Sequence, residues 1–159
     1  QTGEYDGQSK TFPVTIIKTF CTKEELIAFV AQLKGRKVLI KGNHDDVSDY
    51  RYQQLFHEIC DYKEMHDTIG KEHYSLVLSH YPIFSWRNMG RGRILLYGHT
   101  HESEEDRFYQ KCLSEMRAND CRHVYEAEEL RAYNVGCMRD YMNYTPRTLE
   151  EILNSRRKV

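Results

Sequence analysis

An α/β domain of layered helices and parallel strands is predicted by three features in the first quarter of the chain. A β-branched run at residues 14–17 reads as a strand, an amphipathic helix follows Thr22, and the continuous apolar run Val38-Leu39-Ile40 reads as a second strand. Short strand, helix, strand connections favour a parallel pair, and such pairs belong to sheets covered by helices. The 159 residues, 40% hydrophobic and 30% charged, fit one globular domain over 1–159 with one apolar core.

The elements follow in order. Thr22 can cap the first helix and Glu25 can reach back to complete a capping box. Leu26, Ile27, Val30 and Leu33 recur at helical spacing, and Gly35 stands where a stop is expected. The strand at 37–41 has an apolar centre of the kind found in strands covered on both faces. A helix is predicted over 49–60 from Tyr52, Leu55, Phe56 and Ile59, and a hairpin joins 65–69 to 74–78 around Gly70-Lys71. Another strand is predicted at 93–97, then a charged helical excursion over 102–131 in which Phe108, Leu113 and Met116 are loosely periodic. Thr148 and Glu151 form a second capping box for a short helix through Leu153, and 154–159 reads as a frayed basic tail.

Lys plus Arg (23) nearly balances Asp plus Glu (24), so a net charge of -1 gives no field that steers the chain to nucleic acid or anionic membrane. No run approaches the roughly 18 apolar residues of a membrane span, and the first ten residues lack the apolar stretch of a signal peptide. A soluble, cytoplasmic protein is expected. Five cysteines without CxxC spacing point to idle thiols rather than a disulfide framework or zinc ribbon. The polar opening without Met reads as that of an N-terminally truncated chain.

Three segments each place metal-type side chains directly after an apolar strand: Gly42-Asn43-His44-Asp45, Ser79-His80-Tyr81 and Gly98-His99-Thr100-His101. Parallel strands deliver such loops to one sheet edge, so Asn43, His80, His99 and His101 are expected to converge. Imidazole and amide donors suit first-row dications such as manganese, iron or zinc, and disfavour calcium. If the strand continues through His99-x-His101, both rings point one way and can serve neighbouring ions.

These blocks, in this order, resemble the Gly-Asn-His-Asp, His and Gly-His-x-His motifs of calcineurin-like metallophosphoesterases. The stretch from Tyr133-Asn134-Val135-Gly136-Cys137 to Pro146-Arg147-Thr148-Leu149 also resembles the closing segment of small bacterial members. The resemblance implies an α/β sandwich with helices outside two central sheets and hydrolysis of a phosphomonoester or phosphodiester by metal-activated water. It implies two divalent ions, with Asn43, His80 and His99 on one and His101 on the other. His44 is implied as general acid, with Asp45 holding its ring. The family's Asp-x-His and Gly-Asp blocks have no counterpart here. Aligning 14–17 with the family's second strand puts Lys18-Thr19 in place of Gly-Asp, and Thr19 cannot act as a bridging carboxylate.

Other residues have plainer readings. His57, His66, His73 and His123 are expected to be structural. Arg87, Arg91 and Arg93 near Trp86 are expected in a solvated loop, with oxyanion binding as the alternative. Tyr133, Tyr141 and Tyr144 suit either a cleft wall or packing over a strand edge. The acidic run Glu102, Glu104, Glu105 and Asp106 reads as a solvated helix start, with Glu102 near enough to His101 to serve as its partner. The expected partner is a phosphate-ester small molecule. The rival expectation is a truncated or degenerate, non-catalytic interaction module, self-associating through an exposed sheet edge.

Overall fold

The structure, a computed structural model, describes residues 22–156; the expected strand at 14–17, Lys18-Thr19 and Cys21 lie outside them. The architecture is α/β, with four α-helices and two sheets among the described residues. Helix α1 (Lys23–Gln32) starts at the expected capping box: Thr22 accepts from the Glu25 amide and Glu25 accepts from the Thr22 amide. It ends at Leu33, two residues before Gly35, which takes a φ of +89°. Of its apolar stripe only Val30 is fully buried.

Strand β1 (Val38–Ile40) pairs in parallel with β2 (Glu58–Cys60), forming a two-stranded sheet. Both strands are half-buried throughout, so the double coverage expected of β1 is not observed among the described residues. The helix expected over 49–60 is reduced to one turn, α2 (Tyr50–Gln53), capped by Asp49. Pairing decides this. The His57 amide donates to Lys37 O and the Lys41 amide to Cys60 O, both at 2.8 Å, drawing 57–60 into a ladder with β1 and placing Ile59 opposite Leu39. Helical propensity in so short a segment is weak, and tertiary pairing overrides it.

The larger sheet runs in the order β3 (Tyr62–Ile69), β4 (Glu72–Ser79), β5 (Ile94–Tyr97), β6 (Ala132–Asn134). β3 and β4 form the expected antiparallel hairpin, and only the first turn residue, Gly70, has a positive φ, as a II′ turn requires. β4, β5 and β6 are parallel, so the sheet is mixed. β5 is buried at every position because both faces are covered. On one face Val77, Leu95 and Tyr97 pack with Trp86, Tyr109 and Leu113. On the other, Leu76, Ile94 and Leu96 pack with Leu149 and Leu153.

The helical excursion resolves into α3 (Glu104–Ala118), a long helix followed by turns to residue 131. Its buried face is Asp106, Tyr109 and Leu113, while Phe108 is exposed. The solvated acidic start is therefore corrected at Asp106, which is 4% exposed. Helix α4 (Leu149–Arg156) is longer than expected and takes in 154–156. Burial of Leu149, Ile152 and Leu153 contributes roughly 1.5–3 kcal/mol each, enough to hold two helical turns that would not persist alone. No helix among the described residues is long and apolar enough to cross a membrane.

Candidate metal centre

The loops after β1, β4 and β5 meet. His80 Nε2 lies 2.8 Å from Asn43 Oδ1 and 3.1 Å from His99 Nδ1, and His99 Nδ1 lies 3.2 Å from Asn43 Oδ1. Three donor atoms from three loops thus form a nearly equilateral triangle. Donors about 2.1 Å from a common first-row dication, at near-right angles, stand roughly 3 Å apart, so the triangle has the dimensions of one face of such a coordination shell. The set is two imidazoles and one amide. Among the described residues no three His, Cys, Asp or Glu side chains form a metal-holding group, so no carboxylate completes it.

Local backbone chemistry builds the triangle. The Gly42 amide donates to Asp45 Oδ2 at 2.7 Å, and the Asp45 amide donates back to Gly42 O at 3.2 Å, closing the loop that carries Asn43. A Cβ on Gly42 would sit 2.7 Å from the His80 ring, so this position has to be glycine for the ring to reach Asn43. The Gly98 amide donates to His80 O at 3.0 Å, joining the second and third loops.

The third loop departs from the expected geometry. β5 ends at Tyr97, and His99 and His101 take left-handed φ values of 58° and 50°, so the strand does not continue through His99-x-His101. Their rings are placed by a turn instead, and among the described residues no hydrogen bond joins the exposed His101 ring to any of the three donors. Left-handed backbone costs a non-glycine residue about 1–3 kcal/mol and persists only where its surroundings impose it. Here they do. Asn134 Nδ2 donates to His101 O at 2.7 Å, and Thr100 donates to Asp106 Oδ1 at 3.0 Å. Tyr97 also donates to Asp106 Oδ1 at 2.7 Å, and Arg139 lies 3.5 Å from Oδ2. Asp106 and Asn134 were not singled out for this: a carboxylate in the first turn of a charged helix reads as solvated unless its tertiary partners are known.

His80 is the electrostatic centre of the group. Partial burial lowers its pKa first, and the positive charges possible on His99, His101 and His44 lower it further, while Asp45 opposes them. Both changes favour the neutral ring that binds a metal. The other expected site residues therefore gather around the His80 imidazole, Asn43 and His99 by contact and His44, Asp45 and His101 through its electrostatics. Among the described residues no hydrogen bond joins His44 to Asp45; the carboxylate serves the Gly42 amide instead. Glu102 likewise faces Arg139, at 3.9 Å, rather than His101.

Tyr81 adds a wall that the sequence did not reveal. Its ring lies 4.9 Å from that of His80, edge to face, and 4.5 Å from that of His99, while remaining exposed. Tyr141 donates to the Asn134 carbonyl and Tyr144 is exposed. Arg91 and Arg93 lie at the start of β5, the end away from these loops. Of the plain histidines, His57 contacts Arg36, His66 contacts Ser75 and His73 contacts Thr68. Set against known proteins, the chain matches no family model, no curated protein and no solved structure.

Proposed function

We propose that this chain is a metal-dependent phosphoesterase of the calcineurin-like type, hydrolysing a phosphomonoester or phosphodiester. The observation that carries the reading is the convergence of Asn43 Oδ1, His80 Nε2 and His99 Nδ1 at the separations one dication demands. The three-motif resemblance supports it, and on the same reading the two sheets belong to the sandwich of that family.

Asn43, His80 and His99 would hold one ion, and His101 stands beside them for a second. When bound, a first-row dication supplies Lewis acidity toward a phosphoryl oxygen and lowers the pKa of a water. The remaining roles fall to side chains. His44, exposed on the Asn43 loop, donates a proton to the leaving oxygen. Asp45 keeps that loop closed through the Gly42 amide. Tyr81 shields the outer sides of both imidazoles and limits the approach of bulk water.

The test is hydrolysis of bis(p-nitrophenyl) phosphate and p-nitrophenyl phosphate by the intact chain with manganese, iron or zinc. His44→Asn is expected to lower kcat by about 100-fold or more while manganese affinity stays within about twofold. No hydrolysis with any of these metals would overturn the reading.

A non-catalytic binding module is the second reading, favoured by the lack of a carboxylate in the described donor set. β3 edges the larger sheet and has no partner on its outer side among the described residues, a surface suited to self-association. Metal-dependent turnover by a monomer in sedimentation would remove this reading.

A further inference from the structure

At the end of the larger sheet opposite the metal loops lies a cavity of about 470 Å³ lined by Arg91, Arg93 and Arg131 together with His73, Asn88 and Glu72. Arg93 and Arg131 immediately precede β5 and β6, and Glu72 opens β4, so the cavity sits where the parallel strands begin. His80 follows the far end of β4. Arg93 is level with Ser75, and five residues of strand put His80 about 16 Å beyond, too far for one phosphoryl group to touch both.

Three guanidinium groups facing one lining carboxylate, Glu72, are not expected from a chain of net charge -1. Their pairing leaves donors to spare. Arg93 is held by Glu64, and its side chain is only 9% exposed. Arg131 donates to Gly92 O at 2.7 Å and has no carboxylate partner among the described residues. Arg91 pairs with Glu126 at 3.0 Å, and both are largely exposed, so that pair exchanges readily. A guanidinium held only by a backbone carbonyl, as that of Arg131 is, keeps its charge uncompensated and gains most from an anion in the cavity.

The forks are also held in place. Gly92 has a φ of +84°, and a Cβ on it would lie 3.1 Å from Arg131 Nη2, so glycine lets the guanidinium lie along the backbone. The carbonyl of Arg93 accepts from Trp86 Nε1 at 2.9 Å, fixing the backbone that carries the second fork. Planar, fixed forks suit an oxyanion with several oxygens, and little side-chain freedom remains to be lost on binding. The volume exceeds the needs of a bare inorganic anion and matches a small organic molecule.

We propose that this cavity binds the phosphate group of a small organic phosphate, at a site separate from the metal loops. Phenyl phosphate is the probe, titrated calorimetrically into the full chain freed of metal by chelation. Saturable binding is expected, unchanged within about twofold by His80→Ala and weakened roughly tenfold or more by Arg131→Met. Arg91→Gln alters only an exposed pair and should weaken binding about threefold, a readout that survives if Arg131→Met fails to fold. The Arg131 guanidinium N–H resonances should shift on titration. Absence of saturable binding, equal affinity in both arginine variants, or loss of binding in His80→Ala would overturn the proposal.

Discussion

The imidazole of His80 fills the space that a side chain on Gly42 would need: a Cβ there would lie 2.7 Å from the ring's Cε1 and Nδ1. Gly42 is anchored from the other side by its amide, which donates to Asp45 Oδ2. Gly42→Ala therefore forces the ring or the loop to move. We expect a stability loss of about 1–3 kcal/mol, read from urea denaturation, and manganese affinity lowered by roughly tenfold or more. An alanine variant with unaltered manganese affinity would show that His80 does not need this approach to Asn43.

Asp106 is the hub beneath the third loop. It accepts from Tyr97, Thr100 and Asn134; in Asp106→Ala the Tyr97 hydroxyl loses its acceptor, while Thr100 keeps Gly98 O and Asn134 keeps His101 O. A buried donor left unpaired costs about 1–3 kcal/mol, so a destabilisation of about that size is expected in denaturant titration. Manganese affinity should fall too, because His99 and His101 keep their left-handed backbone only while this network holds the loop. A loss under about 0.5 kcal/mol, the usual range for surface substitutions, would remove Asp106 from this role.

His80 should titrate below the ordinary histidine range in the metal-free chain, first through burial and then through His99, His101 and His44. Between its folded midpoint and the ordinary value, the unfolded chain holds more protons at this position. Its contribution to stability therefore rises with pH across that window and is lost as pH falls through it. Following the ring proton by NMR checks the midpoint. His99→Ala should raise it without restoring the ordinary value, since burial is the larger cause. A wild-type midpoint at or above that of free histidine contradicts this account.

Thr148 caps α4. Its hydroxyl accepts from the Glu151 amide at 3.2 Å while Glu151 accepts from the Thr148 amide at 2.7 Å. Thr148→Ala is expected to cost about 1 kcal/mol by thermal or urea unfolding, and Thr148→Ser much less. Equal losses for the two variants would mean that the methyl group, rather than the cap, matters.

Much of the secondary structure was legible because its causes are local. Both capping boxes and the Gly70-Lys71 turn rest on contacts between residues a few positions apart, and the strand ending at Tyr97 shows in its continuous apolar run. The helix read over 49–60 failed for the complementary reason, since Ile59 is claimed by Leu39 twenty residues earlier. The Gly42, His80 and Gly98 motifs identified the loops that meet, but the expectation of four converging donors held for three atoms, because His99 and His101 lie in a turn rather than a strand.

By itself the sequence determined the α/β class, the helix caps, the hairpin and the residue types at the strand ends, all of which depend on spacing along one segment. Only the tertiary structure decided the triangle of Asn43, His80 and His99, the burial of Asp106, the Tyr81 wall and the arginine cavity. Each of these joins segments far apart in the chain, and the cost of burying a charge or an imidazole is offset by partners that a linear pattern does not display.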